Sequence, residues 1–426
     1  MLKIKDLIEK LINIVKKDSQ EALGCTEPVA IAYATNIASK YIKKDRIELI
    51  SVVLSENIYK NAKSVKIPNT ETSGINLAAA IGALVDETND GFKIFSKINS
   101  EVLLKAKRLI SEGKVVVKYS KDSPDIYIKI NIETDKDTVE VTTLHSHTHI
   151  EKIVLNGKNI LEDSFKEEKD EFLITNLSFS ELREIIENCD SSKLYFTLDG
   201  IETNLKAAKE GLEGYGSGLG KTLNEFKKRG VLTDNLLTNA RVMTAAAADL
   251  RMAGGNYPIM TSGGSGNQGI GIIIPISLVA KEENIDKARL AKSLFFAHLI
   301  NRFVKEYSGK LSGMCGCAIG SAIGATAGIT WMLGGNDKQI AGACSNIYAN
   351  LTGMICDGAK ESCSMKLATS AEESIVSAYL ALGGVISEEN VGILGNTIEE
   401  TISNIGKLSY ESYRKVDSTI LKIIDK

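Results

Sequence analysis

The region from residue 46 to residue 199 combines short β-branched runs with helical periodicities. Four of its segments alternate or run with β-branched residues, as strands do: Ile47–Leu54, Val115–Tyr119, Ile126–Ile132 and Val139–Leu144. Three others are apolar at positions i, i+3 and i+4, which is typical of helices on a core: Ile75–Val85, Ser100–Ile110 and Ser180–Asn188. The pattern predicts a smaller α+β domain of short strands and helices over residues 46–199.

From about residue 200 onward small residues dominate, and helical patterns alternate with glycine-rich breaks, as in Ala245–Ala248 and Gly320–Gly328. Helices made of alanine, glycine and serine can approach each other closely. We therefore expect a Gly/Ala-rich helical domain over residues 200–426. Two N-terminal helices within residues 1–45, Lys3–Lys17 and Pro28–Ile42, are expected to pack with it. The predicted fold class is α+β.

Composition adds few constraints. The chain has 426 residues, of which 43% are hydrophobic and 25% charged, and its net charge is −3. Mixed signs leave no basic stripe for nucleic acid and no polybasic membrane anchor. The N-terminus alternates charged and apolar residues, unlike a signal peptide, and Ile270–Leu278 is too short to span a bilayer. We expect a soluble, cytoplasmic protein, and leave open whether it forms a homo-oligomer.

Two glycine-rich segments imitate nucleotide-binding motifs without their context. Gly264–Gly269 matches GxGxxG, but the β-branched run Ile270–Pro275 follows, so no helix is expected and a dinucleotide site is not predicted. The loop still offers backbone N–H groups of the kind that hold carboxylates or phosphates. Gly214–Thr222 imitates a P-loop, but Tyr215 stands where its first glycine is needed, so ATP binding is not expected.

Three histidines, His145, His147 and His149, alternate at the end of a predicted strand and would share one face. Three imidazoles could bind zinc. With no carboxylate or cysteine recognised nearby to complete such a site, a solvated strand end is the preferred interpretation for at least two of them.

The cysteines are seven in number, and five crowd into one stretch of the C-terminal half: Cys315, Cys317, Cys344, Cys356 and Cys363. A secreted disulfide framework would be denser and usually even in number. The spacing is neither that of a zinc ribbon nor that of a bacterial ferredoxin. Cys356 and Cys363 have polar neighbours, as ligand loops often do, whereas Cys189 and Cys344 are interpreted as buried structural cysteines. Spacing alone leaves a metal or cluster site and structural cysteines as equal alternatives.

An ordered set of motifs resembles the L-cysteine desulfidase family, which is related to the iron–sulfur L-serine dehydratases. The motifs are Glu21–Pro28, Tyr59–Asn61 with Ile67–Pro68, His147–Thr148, Gly216–Leu223, Ser265–Gly269, Met314–Gly320 and Cys356–Cys363. Together they cover nearly the whole chain.

The resemblance implies a [4Fe–4S] cluster held by Cys315, Cys356 and Cys363, with one iron open for substrate. Cys317 could replace Cys315, because a CxC pair makes the first ligand ambiguous. Related serine dehydratases can carry a cysteine near the C-terminus that occupies the open iron. The sequence ends in STILKIIDK, without such a cysteine, so the open iron is expected to be free.

The reaction that the resemblance implies is a carbon–sulfur lyase reaction in which L-cysteine yields pyruvate, ammonia and hydrogen sulfide. The cluster would act as a Lewis acid, and no pyridoxal phosphate lysine motif is recognised. Cys25 is the implied catalytic base. Gly24 and Pro28 place it in the turn before a helix, where the helix dipole is expected to lower the thiol pKa. Glu27 is the competing base.

The small-molecule amino-acid substrate also needs partners for its carboxylate and ammonium. The residues expected to bind it are Asn61, His147, Thr148, Ser265, Gly266, Asn267 and Gln268. Lys60 and Arg251 are further candidates, although a solvated surface role fits them at least as well. Two alternative functions remain: an L-serine dehydratase of the same class, and a non-enzymatic iron–sulfur sensor. The absence of a DNA-binding motif counts against the sensor.

Overall fold

The computed structural model describes residues 4–88, 91–163, 173–309, 311 and 313–425. Lys3, the first residue of the first predicted helix, lies outside these ranges. Within them, no helix is both long enough and apolar enough to cross a membrane.

The elements before residue 173 alternate between helices and strands. They are α1 (Ile4–Asp18), β1 (Glu21–Ala22), α2 (Thr26–Ser39), β2 (Ile47–Ser55), α3 (Glu56–Ala62), α4 (Ile75–Leu84), α5 (Ser100–Ser111), β3 (Val115–Ser120), β4 (Tyr127–Thr134), β5 (Thr138–Leu144), β6 (Ile150–Leu155) and β7 (Lys158–Glu162).

The elements after residue 173 are almost all helical. They are α6 (Phe179–Glu187), α7 (Asp199–Gly211), α8 (Leu219–Lys228), α9 (Leu236–Met252), β8 (Ile259–Met260), α10 (Gly266–Glu282), α11 (Lys287–Ser308), α12 (Gly316–Met332), α13 (Asp337–Leu351), α14 (Cys363–Leu382), α15 (Ile398–Glu411) and α16 (Tyr413–Ile424). Short 3₁₀ helices occupy Lys44–Arg46, Gly91–Lys97, Ile174–Asn176 and Ser191–Leu198.

A mixed sheet orders its strands β3-β2-β4-β5-β6-β7, with β2 and β3 parallel and the other neighbours antiparallel. Strand alternation places one apolar row across it, with Val52 opposite Ile130, Ile130 opposite Val141, and Val141 opposite Ile153. These four side chains are buried. Because side chains alternate between the faces of a strand, this row covers one face and leaves the polar residues on the other. The predicted α+β class is confirmed.

The second helix, α2, packs on this sheet. Its Val29 and Ile31 belong to the same apolar cluster as the sheet row, and it lies against α4. A Cβ at Gly82 would lie 2.1 Å from the carbonyl oxygen of Ala32, so glycine is what allows α4 and α2 to approach so closely. α1 instead contributes Leu11 to the helical core. The sequence predicted that both helices pack with the helical half, and α2 differs because its apolar residues match the face of the sheet.

The helical half is built around α12, whose residues from Ala318 to Met332 are all buried. A helix that is apolar all round must be covered on every side, and α10, α11, α13 and α14 surround it. Cys189 and Cys344 are buried in this core, as predicted. The domain boundaries at residues 45 and 199 stay a prediction.

One local prediction is wrong. The β-branched run after Gly264–Gly269 continues as helix α10, which begins at Gly266 and contains Pro275. Residues from Gly266 to Ser277 are all buried in this helix. Burial against neighbouring helices outweighs the weak intrinsic preferences of isoleucine and proline.

Candidate active site

Four thiols converge near the N-termini of two core helices. Cys315 is the N-cap of α12, and Cys317 lies in that helix's first turn. Cys363 is the first residue of α14, and Cys356 lies in the loop before it. The positive ends of both helix dipoles favour negative charge at these positions.

Backbone pairing brings the two loops together. The N–H of Cys315 donates to the carbonyl of Met354 at 2.9 Å, and the N–H of Cys356 donates to the carbonyl of Gly313 at 2.7 Å. These two hydrogen bonds form a short antiparallel bridge, which holds Cys315 beside Cys356. The bridge thereby joins two segments that helices α12 and α13 separate along the chain.

The thiols lie close enough to influence each other's ionisation. Burial, followed by the negative charges of Cys356, Cys317 and Cys363, raises the pKa of Cys315 well above its usual range. Burial and the charges of Cys356 and Cys363 raise the pKa of Cys317 to about 12. Several such thiols ionise together only when a cation compensates them, as a metal centre does.

The donor set fits an iron–sulfur cluster. Thiolates are the ligands that such clusters use, and the thiols here lie near enough to raise the pKa of Cys315 and Cys317. Among the described residues, no three His, Cys, Asp or Glu side chains surround the position of a single metal ion. A cluster carries its irons at separate corners, so its ligands need not meet at one point. Cys315 and Cys317 both lie near Cys356 and Cys363. Which of the two would be the first cluster ligand stays open.

Cys25 and Glu27 form a buried pair at the start of α2. Cys25 is the N-cap and is 4% exposed, and its Sγ donates to Glu27 Oε2 at 3.0 Å. The Nδ2 group of Asn61 donates to Glu27 Oε1 at 3.2 Å. Both carboxylate oxygens of Glu27 therefore have a protein donor.

The thiol of Cys25 is harder to ionise than the sequence predicted. Burial and then the negative charge of Glu27 raise its pKa well above the usual range. The predicted lowering by the helix dipole is wrong, because these two effects exceed it. Burial would also raise the pKa of Glu27, but the charge of His147 and the hydrogen bond from Cys25 bring the pKa below its usual value. The resting pair is therefore a thiol beside a carboxylate.

The Cys25–Glu27 pair adjoins the clustered thiols. Cys25 packs in the same apolar contact group as Cys363 and Met252. The thiol of Cys356 lies 3.9 Å from Asn61 Oδ1. Because the other end of the same amide binds Glu27, Asn61 bridges the pair and a candidate cluster ligand.

The loop before α10 reaches the same region. Ser265 Oγ lies 3.7 Å from Cys317 Sγ. Gln268 donates from Nε2 to the carbonyl of Gly316 at 2.9 Å, and its Oε1 accepts from Asn301 Nδ2 at 3.0 Å. Gln268 thereby ties the N-terminus of α10 to that of α12.

Two of the three histidines lie together, because the ring centroids of His145 and His149 are 6.2 Å apart. β5 ends at Leu144, and His145 has a φ of 64°, so the three imidazoles do not share a strand face as predicted. The positive charge of His147 acts on Glu27. His149 Nε2 lies 3.1 Å from Glu151 Oε2.

Thr148, another predicted substrate contact, packs its methyl group towards Gly91, where an added Cβ would lie 3.1 Å away. Within the part of the chain that the structure describes, its hydroxyl forms no hydrogen bond to the other candidate site residues. A substrate contact by Thr148 stays a prediction.

Comparisons with known proteins identify the family of this chain. Residues 44–422 match the family described as serine dehydratase alpha chain. The chain belongs to the serine dehydratase alpha chain family. It is 45% identical over 423 residues to a UPF0597 protein of Clostridium botulinum (strain Okra / Type B1), covering 98% of this chain and 97% of the relative. A UPF0597 protein of Alkaliphilus oremlandii (strain OhILAs) is 36% identical over 428 residues, covering 99% of each chain.

Membership of the serine dehydratase alpha chain family indicates a lyase of the iron–sulfur dehydratase type. The matched region contains the four converging thiols, but begins after Cys25 and Glu27. The contact between Cys25 and Glu27 therefore rests on the structure of this chain and not on the family match.

Three charged residues have surroundings that sequence reasoning missed. Arg251 is 3% exposed and Lys60 is 1% exposed, so the solvated surface role considered for both is wrong. Glu27 is buried beside Cys25. A signal was present for Arg251, because it follows the small-residue run Ala245–Ala248 on one helix. No comparable signal marked Lys60, whose partner Asp417 lies on the distant helix α16.

Proposed function

We propose that this chain is an iron–sulfur lyase that converts L-cysteine and water into pyruvate, ammonia and hydrogen sulfide. The observation that carries the proposal is the link through Asn61 between the Cys25–Glu27 pair and Cys356. An acid–base pair beside a group of converging thiols is what β-elimination with a bound cluster requires.

In this proposal Cys315, Cys356 and Cys363 are the residues that would hold a [4Fe–4S] cluster. When bound, the cluster supplies a Lewis-acidic iron that stabilises the departing sulfur. Loss of cluster iron from Cys→Ser variants at these three positions would support the assignment. Cys344→Ser is the matched control, because Cys344 is buried in the core away from the site.

The chain's own residues move the proton. Elimination requires that a base removes the proton on the substrate's Cα. Glu27 is ionised and accepts the hydrogen bond of Cys25, so it takes the proton of the thiol while Sγ takes the proton of Cα. The electrons of the Cα–H bond then form a double bond as the Cβ–S bond breaks, and the leaving sulfide takes the proton from Glu27, which gives hydrogen sulfide and restores the carboxylate. Water hydrolyses the resulting enamine to pyruvate and ammonia.

Asn61 and His147 help to keep Glu27 ionised, as this step requires. The hydrogen bond from Asn61 and the charge of His147 favour the ionised form of Glu27. Burial keeps bulk water from competing as a donor to the carboxylate. Asn61 and His147 thus act by positioning and charge.

L-Serine is the second candidate substrate, favoured by the family match to serine dehydratase alpha chains. The same residues would remove the Cα proton, and hydroxide would leave in place of sulfide. The ratio of kcat/KM for L-serine to that for L-cysteine decides between the two. A ratio well above one favours the dehydratase.

The decisive experiment uses protein purified and loaded with cluster without oxygen. Sulfide, pyruvate and ammonia are measured with L-cysteine, and pyruvate with L-serine. Equal yields of the three products from L-cysteine support the proposal. A fully loaded sample that turns over neither amino acid contradicts it and leaves the iron–sulfur sensor as the better interpretation.

A further inference from the structure

Arg251 is a positively charged side chain in a buried part of the fold. It lies in the last turn of α9 and is 3% exposed. Its Nη1 donates to Asn267 Oδ1 at 2.8 Å, and its Nε has no hydrogen-bond partner. Within the described ranges of the chain, no carboxylate forms a salt bridge with this guanidinium. Because an unpaired buried charge is costly, the position calls for an anion from outside the chain.

The guanidinium lies directly against the first turn of α10. A Cβ at Gly266 would lie 2.4 Å from Arg251 Nε and 2.8 Å from its Cζ, so glycine is what gives the guanidinium its space. The first N–H groups of a helix lack carbonyl partners within it, and the side chain of the N-cap residue Ser265 does not cap them. The guanidinium of Arg251 and the N-terminus of α10 therefore lie side by side. Guanidinium groups and helix N-termini both bind carboxylates in proteins.

This anion site lies between the two halves of the candidate active site. The positive charge of Arg251 acts on Cys25 and Glu27 on one side and on Cys317 on the other. Glu27 does not occupy the site, because its oxygens accept from Cys25 and Asn61. An amino acid held here by its carboxylate would have its Cα and Cβ within the same region.

We propose that Arg251 and the first turn of α10 bind the carboxylate of the amino-acid substrate, an inference that rests on the proposed function. A guanidinium carries five N–H donors, so donors remain for a carboxylate beside the one that Asn267 accepts. The site therefore selects substrates that carry a free carboxylate beside the reacting carbon. It rejects amines and thiols that lack one.

The first test compares two ligands on the unmodified protein. Anaerobic calorimetry on the full-length, cluster-loaded chain measures the binding of 3-mercaptopropionate and of cysteamine. Each keeps the thiol of cysteine, but only the first keeps the carboxylate. We expect 3-mercaptopropionate to bind at least about tenfold more tightly, as a charge-assisted pair does. Equal affinities, or tighter binding of cysteamine, would overturn the proposal.

The second test changes the site. Arg251→Gln is expected to weaken 3-mercaptopropionate binding by about tenfold or more and to leave cysteamine binding unchanged. Gly266→Ala keeps the charge but displaces the guanidinium, and is expected to give a smaller loss in the same direction. The matched control is Arg241→Gln, on the same helix, where Arg241 pairs with Glu372 at 2.9 Å. A variant in which both ligands weaken equally, or neither does, contradicts the assignment.

Circular dichroism identifies variants that fail to fold. If Arg251→Gln fails, the outcome with Gly266→Ala and the ligand comparison on the unmodified protein still decide. Selective binding that depends on Arg251, without turnover of L-cysteine or L-serine, would support the carboxylate site and contradict the proposed reaction. Turnover of L-cysteine or L-serine without such selective binding would support the proposed reaction and contradict the carboxylate site.

Discussion

The thiol of Cys25 donates a hydrogen bond to the carboxylate of Glu27 across 3.0 Å, inside a buried part of the fold. Burial and the adjacent carboxylate keep the proton on sulfur. The thiol can therefore act as a base only if Glu27 takes its proton at the same time. This coupling makes two residues, rather than one, necessary for the proposed elimination.

Cys25→Ser tests the sulfur. Serine keeps a donor to Glu27, but its hydroxyl is a much weaker acid than a thiol and gives up its proton to Glu27 far less readily, so we expect turnover to fall by about a hundredfold to ten-thousandfold. The visible absorbance of the cluster should not change. Loss of the cluster in this variant would show that Cys25 is a ligand, contrary to the proposal.

Glu27→Gln tests the carboxylate with almost no change in shape. The amide cannot accept the proton, so we expect a fall of about a hundredfold or more in kcat, with cluster content retained. Glu56→Gln is the matched control, because Glu56 is also in the first turn of a helix but lies outside the site. Equal activity of the two variants would remove Glu27 from the mechanism.

Lys60→Met tests the buried ion pair of Lys60 and Asp417, which joins α3 to α16. Lys60 Nζ also donates to the carbonyl of Cys356 at 3.1 Å. Removing one partner of a buried pair costs about 3–5 kcal/mol, so we expect the free energy of unfolding to fall by that order. Chemical denaturation of the cluster-free chain measures it.

The control for this prediction is Lys63→Met on the same chain segment. Lys63 pairs with Asp425, and the two side chains are 30% and 27% exposed, so we expect a loss of about 1 kcal/mol or less. The double variant Lys60→Met with Asp417→Leu should be more stable than Lys60→Met alone, because it leaves no buried charge unpaired. Similar losses in the Lys60 and Lys63 variants would argue against the buried pair.

His298 makes stability depend on pH. Its Nδ1 lies 2.8 Å from Ser262 Oγ, and burial lowers its pKa from 6.5 to about 4. Between these values the unfolded chain binds a proton that the folded chain does not, so stability is present above about pH 6.5 and is lost as the pH falls towards 4. From pH 7 to pH 5 we expect this residue to cost about 2 kcal/mol.

The measurement is the free energy of unfolding at both pH values, for the unmodified chain and for His298→Gln. Glutamine does not titrate, so the variant should lose about 2 kcal/mol less than the unmodified chain over this interval. Equal losses in the two proteins would show that His298 is not the group responsible.

Local patterns were sufficient for the strands and helices that were predicted between residues 46 and 199. β2 to β5 and the helices α4, α5 and α6 lie within a few residues of their predicted bounds, because alternation and helical periodicity are properties of neighbouring residues. α10 is the exception, since only its position among other helices explains a helix through Pro275.

The sequence by itself named the candidate groups of the site: the resemblance to a known family implied Cys315, Cys356 and Cys363 as ligands and Cys25 as the base. Only the tertiary structure decided how these groups are charged and connected. A bridge between distant loops places Cys315 beside Cys356, and burial beside Glu27 raises the pKa of Cys25. The burial and the charged neighbours of a side chain depend on segments far away in the chain, which no local pattern records.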